Sequence, residues 1–384
     1  MANDHKREQL EALRASIDAT DDSILQLIHQ RANLARQVGE VKERDASTPF
    51  YVPSREASII RRILTRNADF SKGMHASCIP DTAIHGIYRE VIGACLALEH
   101  PMNIAYLGPA GTFTYAAAQR QFGATASYLA CDHFAMVFDA VESGRANYGV
   151  VPIENAFEGA VTPVLDLFAD ADRQIQVCAE VQLSIHHHLF TFADQLSNID
   201  CIISHPQPLG QCRRWLQEHL PQAQWRETNS TVKAASMIEA AKAGKQNGID
   251  WQRTAAIGPY AITHETTLPL LQQNIEDFHD NITRFLVIGQ HDSPPSGQDK
   301  TLLVASLHDQ AGALNNLLRP FAERGISLSR IESRPSRKRH WQYFFCIDIL
   351  GHRDEAHVQQ AFADIKKQDV NLLMRGSYPV STPL

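Results

Sequence analysis

Between residues 8 and 43 apolar side chains recur at steps of three and four: Leu10, Leu13, Ile17, Ile24, Leu27, Ile28, Leu34, Val38 and Val41. That period predicts one amphipathic helix, uninterrupted by Gly or Pro before Gly39. It is long for a lone helix in a small unit, so the stripe calls for a partner, which we expect from a second chain. A loop, DASTPFYVP, follows, then helices over about Ser54 to Arg66 and Asp81 to Glu99. From Asn103 the pattern changes. NIAYLGPAGTFTYAAAQRQFG reads as strand, glycine turn and helix; YGVVPIENAFEGAV and CIISHPQPLGQCRRWL repeat the idea, and AAIGPYA and RFLVIG add short apolar runs. This alternation predicts a mostly parallel, helix-flanked sheet with functional residues at strand C-termini. The last stretch reads as strands over 301–307, 326–334, 341–350 and 370–377, with helices over 312–323 and 354–367, a ferredoxin-like order.

A length of 384 residues suggests two or three domains. His100-Pro101 and the SPPSGQD stretch at 293–299 punctuate the chain, giving expected units of 1–100, 101–295 and 296–384. With 44% hydrophobic and 21% charged residues, the chain has material for packed cores. Its net charge of −7 speaks against a nucleic-acid partner. The basic run Arg337-Lys338-Arg339-His340 is expected to be a solvated hairpin turn. No window approaches 18 consecutive apolar residues, and the charged N-terminus lacks the apolar core of a secretory signal, so no membrane partner is expected. Seven scattered cysteines without a C-x-x-C pair read as reduced thiols of a cytoplasmic protein rather than bridges or zinc ligands.

Cations on the apolar stripe of the first helix are the first candidate chemistry. Arg31 lies four residues after Leu27, and Lys42 falls eleven residues further on, within about 20° on the helix and roughly 16 Å along it. Arg14 sits about 100° round and does not easily serve the same pocket on the same chain. One reading is snorkelling or structural ion pairing; the other is a dianion site inside a helical dimer, with Arg14 donated by the other subunit. Further along, G-P-A-G-T at 108–112 is a glycine turn without Walker or dinucleotide spacing. The triplet His186-His187-His188 does not converge easily on one metal, and satisfied histidines are expected; no other metal spacing occurs.

L-R-x-x-I-D at 13–18, Q-R at 30–31, V-x-x-V-K at 38–42, R-E at 55–56 and A-C-L-A-L-E ending at Glu99 together resemble the helical, AroQ-type chorismate mutases. The resemblance implies a domain-swapped helical dimer. In it Arg14 of the partner, Arg31 and Arg55 grip two carboxylates, Glu56 holds the ring hydroxyl, and Lys42 and Glu99 hydrogen-bond the ether oxygen of chorismate. Glu99 does so only in its protonated form. Val52 stands where some members carry an Asp, which leaves Glu56 to suffice. Cys95 is expected to be a small buried core residue, with a pocket-edge position as the other option.

G-P-x-G-T-F at 108–113, V-P-I-E-N at 151–155 with Gly159, S-H-P-Q at 204–207 with Gln211, S-T at 230–231, A-A-I-G at 255–258 and N-x-T-R-F at 281–285 resemble prephenate dehydratase. This implies two α/β lobes, with the chain crossing near 183 and returning near 275, around a cleft that needs no cofactor. By resemblance Thr283 serves the leaving hydroxyl, and Arg284 is a carboxylate anchor or structural partner. Thr112, Glu154, Asn155, Ser204, Gln211 and Thr231 line the cleft; for Ser204 and Thr231 the competing role is helix N-capping. Ala156 replaces the family's usual Ser or Thr after Glu-Asn, with a modest expected effect.

G-A-L at 312–314 and E-S-R-P at 332–335 resemble ACT regulatory domains. This implies phenylalanine bound between two ACT units by Gly312, Ala313, Leu314, Glu332, Ser333, Arg334 and Pro335. The whole chain then reads as a bifunctional chorismate mutase and prephenate dehydratase inhibited by phenylalanine, a homodimer with a tetramer as the other option, with chorismate and prephenate as small-molecule substrates. The alternatives are a dehydratase whose mutase unit serves only dimerisation, and a non-catalytic amino-acid sensor.

Overall fold

The structure, a computed structural model, describes residues 2–43, 49–73, 79–307, 310–335, 343–368 and 370–381. The run 337–340 lies outside the described residues. Three helices open the chain: α1 (Ala2–Glu43), α2 (Pro53–Gly73) and α3 (Asp81–Glu99). The second runs a turn or more past the expected Arg66. Pro53 opens it, where a missing N–H is tolerated, and the Val52 carbonyl accepts from the Arg55 and Glu56 amides at 3.0 and 3.2 Å. The apolar stripe of α1 stays exposed in the single chain: Leu27 is 63% exposed and Val41 64%.

A two-lobed unit follows. Its first lobe holds β1 (Asn103–Leu107), α4 (Phe113–Phe122), β2 (Ser127–Cys131), α5 (Phe134–Glu142), β3 (Tyr148–Asn155), β4 (Gly159–Ala160), α6 (Thr162–Phe168) and β5 (Gln176–Ser184). The second holds β6 (His188–Thr191), β7 (Cys201–Ser204), α7 (Pro206–Gln211), α8 (Arg213–His219), β8 (Gln224–Glu227), α9 (Thr231–Lys242), β9 (Thr254–Gly258), α10 (Ile262–Glu265) and β10 (Leu270–Gln272). β11 (Ile282–Gly289) returns to the first lobe between β3 and β5, in the order β2-β1-β3-β11-β5; the second sheet runs β10-β6-β9-β7-β8. Both sheets are mixed rather than mostly parallel. The reason is the double crossing: β5 leaves the first lobe and β11 re-enters it running the opposite way, so it pairs antiparallel with β3 and β5. The two crossings fall near 183 and 275, as expected.

The C-terminal unit is β12 (Asp299–Leu307), α11 (Ala313–Ala322), β13 (Leu328–Pro335), β14 (Tyr343–Leu350), α12 (Ala356–Ile365) and β15 (Asn371–Pro379), with sheet order β13-β14-β12-β15. The SPPSGQD stretch that marks the boundary before this unit is pinned. Arg61 donates to the Ser296 carbonyl at 2.9 Å, and the Ser296 amide donates to Asp299 at 2.8 Å.

Shared cores hold the units together. Tyr51 and Leu96 from the helices pack with Ile104, Tyr106, Phe122 and Tyr148 of the first lobe. On the opposite face of that lobe, Val151, Ile153, Leu286 and Ile288 pack against Leu302, Val304, Phe344 and Tyr378 of the C-terminal sheet. The contact is close enough that a Cβ on Gly376 would lie 2.3 Å from the Val177 carbonyl oxygen. Burying both faces of the first sheet accounts for its nearly continuous apolar strands.

Candidate active sites

The largest collection of expected residues meets between the lobes, in a cleft of about 440 Å³. Thr112, Asn155, Gln211, Thr231 and Thr283 all line it, with Phe113, Glu158, His187, Gln207 and Phe285. Asn155 and Thr283 are partners across the β3–β11 ladder. Buried Asn155 sends Nδ2 to Thr283 Oγ1 and to Asn281 Oδ1, both at 2.8 Å. Its Oδ1 accepts from the amides of Phe157 and Glu158 at 3.0 and 3.1 Å, which shapes the loop after β3. One side chain therefore sets both Thr283 and the Glu158 loop.

Glu158 ties the lobes together. Its two carboxylate oxygens accept from Gln207 Nε2 at 2.6 Å and Gln211 Nε2 at 2.7 Å. A carboxylate only accepts, so Gln211 must turn its amide nitrogen toward Glu158 and its oxygen toward His187. His187 Nε2, 2.6 Å from that oxygen, then carries the proton. Burial holds the His187 imidazole down to about 4, so it is neutral near pH 7. Each ring of the triplet has its own partner: His186 meets Glu276 at 2.8 Å, His187 meets Gln211, and His188 Nδ1 accepts from the Asn274 amide at 3.2 Å.

Among the described residues no lysine or arginine lines the cleft. The first turns of α4, capped by Thr112, and α9, capped by Ser230, border it from opposite lobes, and helix N-termini carry partial positive charge. Thr231 is thus free of the capping role, which Ser230 fills by accepting from the Lys233 amide at 3.1 Å.

Three expected cleft residues are placed elsewhere. Ser204 is fully buried and donates to the Ile257 carbonyl at 2.7 Å, a link between β7 and β9. Glu154 and Arg284 fall on the other face of the first sheet, because side chains alternate along β3 and β11. Arg284 reaches Asp348 Oδ2 at 2.5 Å, Glu180 at 3.1 Å, Tyr378 at 3.1 Å and Glu154 at 3.6 Å. Burial opposes ionisation of Asp348, but Arg284 and Arg330 hold its carboxyl below the ordinary range. Of the two roles open to Arg284, carboxylate anchor or structural partner, the contacts within the chain are those of a structural partner.

A second charged cluster lies among the three opening helices. Lys42 Nζ pairs with Glu99 Oε2 at 3.0 Å and donates to the Phe50 carbonyl at 2.7 Å; Arg31 donates to the Val91 carbonyl at 3.3 Å. Gly39 admits the contact, since a Cβ there would lie 3.0 Å from the Glu99 backbone. Buried Glu56 pairs with Arg89 at 2.8 Å. Burial pushes the Glu56 carboxyl up, Arg89 and Arg31 pull it down, and Glu99 adds to the upward push. Arg14 and Arg55 are exposed and do not join this cluster within the chain. Cys95 is a buried core residue.

In the C-terminal unit Gly312 caps α11 in the left-handed region at φ 83°, a conformation that suits glycine. Ala313 lines a groove of about 550 Å³ with Gln310, Asn316 and Arg319. Leu314 is partly exposed, and Glu332, Ser333, Arg334 and Pro335 lie on the edge strand β13, outside that groove. Arg334 instead reaches Asp166 of α6 at 3.5 Å.

Three family models match in succession: chorismate mutase type II over residues 13–100, prephenate dehydratase over 104–293 and the ACT domain over 300–367. The chain is 40% identical over 372 residues to the bifunctional chorismate mutase/prephenate dehydratase of Aquifex aeolicus, covering 97% of this chain and 98% of that protein. It is 41% identical over 378 residues to the protein of that name from Pseudomonas aeruginosa, with the same coverage of each. The chain belongs to the bifunctional chorismate mutase/prephenate dehydratase family. Its structure is also similar to a prephenate dehydratase from Arthrobacter aurescens solved in complex with L-Phe. That likeness has a TM-score of 0.65 and 34% identity, and covers 72% of this chain and 90% of that one.

Sequence reasoning passed over Arg89 in the mutase unit and Glu158 in the dehydratase unit, named Gln207 only within S-H-P-Q, and read His187 as a satisfied histidine, as its Gln211 partner bears out. The signal for Glu158 was present in E-N-A-F-E-G, where an acid follows Asn155 by three residues beside a glycine. Arg89 carried no such mark, because its role depends on Glu56 being buried opposite it.

Proposed function

We propose that the chain converts chorismate to prephenate in its helical unit and prephenate to phenylpyruvate in its two-lobed cleft, with phenylalanine acting on the C-terminal unit. The units run over 1–100, 101–295 and 296–384, the last being a ferredoxin-like ACT domain. The observation that carries the reading is the Asn155–Thr283 pair at the wall of a cleft that no lysine or arginine among the described residues lines.

Prephenate must lose CO₂ and its ring hydroxyl. As the carboxylate carbon leaves, its bonding electrons enter the ring, the C4–O bond breaks, and aromaticity is gained. No electron sink is needed, so the protein's task is to hold a dianion and help the oxygen depart. Asn155 Nδ2 donates to Thr283 Oγ, which leaves the Thr283 hydroxyl proton to be directed at the leaving oxygen. Helix N-termini from both lobes receive the carboxylates with partial charges. A full cation on the departing carboxylate would stabilise the ground state more than the transition state, which suits a cleft lined by amides and hydroxyls. Gln211 and Thr231 bind substrate beside Thr112, while Glu154, Ser204 and Arg284 support the lobes from behind.

In the mutase unit, catalysis requires a frozen chair-like conformer and stabilisation of charge on the ether oxygen. Lys42 and Glu99 sit together for that oxygen, and Arg31 lies on the same face of α1 to grip a carboxylate. Glu56, tethered by Arg89, holds the ring hydroxyl. The exposed stripe of α1 supports a domain-swapped dimer in which Arg14 of the partner subunit completes each pocket, with Arg55 closing it from α2. The L-Phe complex of the related dehydratase supports phenylalanine binding, and the place proposed for it is Gly312–Leu314 with Glu332–Pro335. Among the described residues no helix is long and apolar enough to cross a membrane. The six described cysteines are unpaired, which supports a cytoplasmic setting.

The test is purified protein with chorismate, measuring prephenate and phenylpyruvate with and without phenylalanine. Thr283→Ala should lower dehydratase turnover about 100-fold or more and leave mutase turnover intact. Dehydratase turnover retained in Thr283→Ala would remove Thr283 from the chemistry.

A further inference from the structure

Thr283 and Arg284 are neighbours on β11 that face opposite ways. Thr283 and Phe285 line the cleft. Arg284 points through the back of the sheet into a buried cluster to which the C-terminal unit contributes Lys300, Arg330, Asp348 and Tyr378, and the dehydratase unit contributes Arg284 and Glu180. Asp348 Oδ2 is shared, lying 2.5 Å from Arg284 and 2.9 Å from Arg330, while Tyr378 Oη donates to Asp348 Oδ1 at 3.3 Å. Glu180 is shared in the same way between Arg284 and Lys300, whose Nζ is 3.0 Å from both carboxylate oxygens.

Two observations make this more than packing. First, the β3–β11 register shifts between Arg284 and Phe285, so the ladder to β3 is irregular next to Thr283. On that side the strand position is left to β5, whose ladder with β11 is regular from Ile282 to Val287, and to the groups packed behind Arg284. Second, charges buried this deeply are costly to separate, so moving β11 relative to the C-terminal sheet breaks buried ion pairs.

We propose that Arg284 is a positioning residue for the dehydratase reaction: the C-terminal sheet, through Asp348 and Tyr378, holds Arg284 and thereby fixes where β11 presents Thr283 to the cleft. Arg330 is two residues before Glu332 on β13, so a ligand that moves the E-S-R-P segment acts on the same carboxylate. The proposal rests on the reading of Thr283 given above.

The experiment measures dehydratase and mutase kinetics on full-length Asp348→Asn and Tyr378→Phe proteins. We expect dehydratase kcat to fall about 10-fold or more in the first and about 3-fold in the second. KM for prephenate should stay within about 2-fold and mutase turnover should be unchanged, since sub-ångström misplacement acts on the chemical step. A raised KM at constant kcat would make the cluster part of substrate binding and overturn the proposal, as would wild-type values in both variants. If Asp348→Asn also loses mutase turnover, the chain has misfolded; Tyr378→Phe, which leaves no buried charge without its partner, then decides by the same split. Failure of the underlying reading looks different: Thr283→Ala keeps dehydratase turnover, and the positioning role falls with it.

Discussion

Asn155 shows how much one side chain organises. Its amide donates toward Thr283 and Asn281, and its carbonyl gathers the amides that place Glu158. Histidines supply a pH signature. Burial holds both His85 and His187 down to about 4 against an ordinary 6.5. Between those values the unfolded chain binds protons that the folded chain refuses. Their contribution to stability is therefore complete above about pH 6.5 and is lost as pH falls toward 4. His187 alone should contribute a loss of about 2 kcal/mol to urea unfolding between pH 7 and pH 5, and His187→Asn should remove that share and leave the share of His85. An unchanged slope in the variant would place the effect elsewhere. In the mutase unit, Glu99→Gln places an amide donor where an ether oxygen would sit, whereas Glu99→Ala places none. Mutase turnover should survive the first within about 10-fold and fall about 100-fold in the second. Equal losses in the two would argue against hydrogen bonding by Glu99.

At the scale of elements, glycines decide how closely the units dock. Gly93 on α3 faces the end of α4, where a Cβ would lie 2.6 Å from the Phe122 carbonyl oxygen. Backbone does not yield as a flexible side chain does, so Gly93→Ala should push the helical unit away from the first lobe and cost about 1–3 kcal/mol, read as a lower melting temperature. A melting temperature equal to wild type would mean that the helix shifts freely. The strand reading succeeded where apolar runs were bounded by glycine turns, as at Asn103–Leu107 and Ile282–Gly289, and passed over β5, although Gln176–Ser184 alternates and bulky apolar residues flank it. Its antiparallel neighbour, β11, lies about a hundred residues away, and periodicity carries no information about a partner that distant.

Across the whole molecule, the exposed stripe on α1 is the feature a single chain leaves unsatisfied. Leu13, Ile17, Leu27 and Leu34 are all more than half exposed. We expect sedimentation equilibrium to give a dimer and Leu27→Asp to give a monomer that keeps dehydratase turnover and loses mutase turnover by about 100-fold, because Arg14 then has no neighbouring pocket to complete. A monomer with full mutase activity would assign every mutase residue to one chain. The same scale explains Arg284. Residue type and position within T-R-F suggested a carboxylate anchor or a structural partner, and the carboxylates it meets belong to Glu180 and Asp348 of the protein itself.

The division between what was readable and what was not follows from range. Periodicity, turn chemistry and motif order determined the three units, their succession and most of the cleft: Thr112, Asn155, Gln211, Thr231 and Thr283 meet as the motifs implied. These signals are local, because each is written within one turn of helix or one strand. Which face of a strand looks into the cleft was decided only by tertiary packing, since alternation sets that neighbours diverge but not which one meets substrate. So were the Glu158 tie between lobes, the Arg89 partner of Glu56 and the charge cluster behind Thr283. Each joins segments far apart in the chain, and the preference for pairing comes from burial that exists only once the sheets have closed on one another.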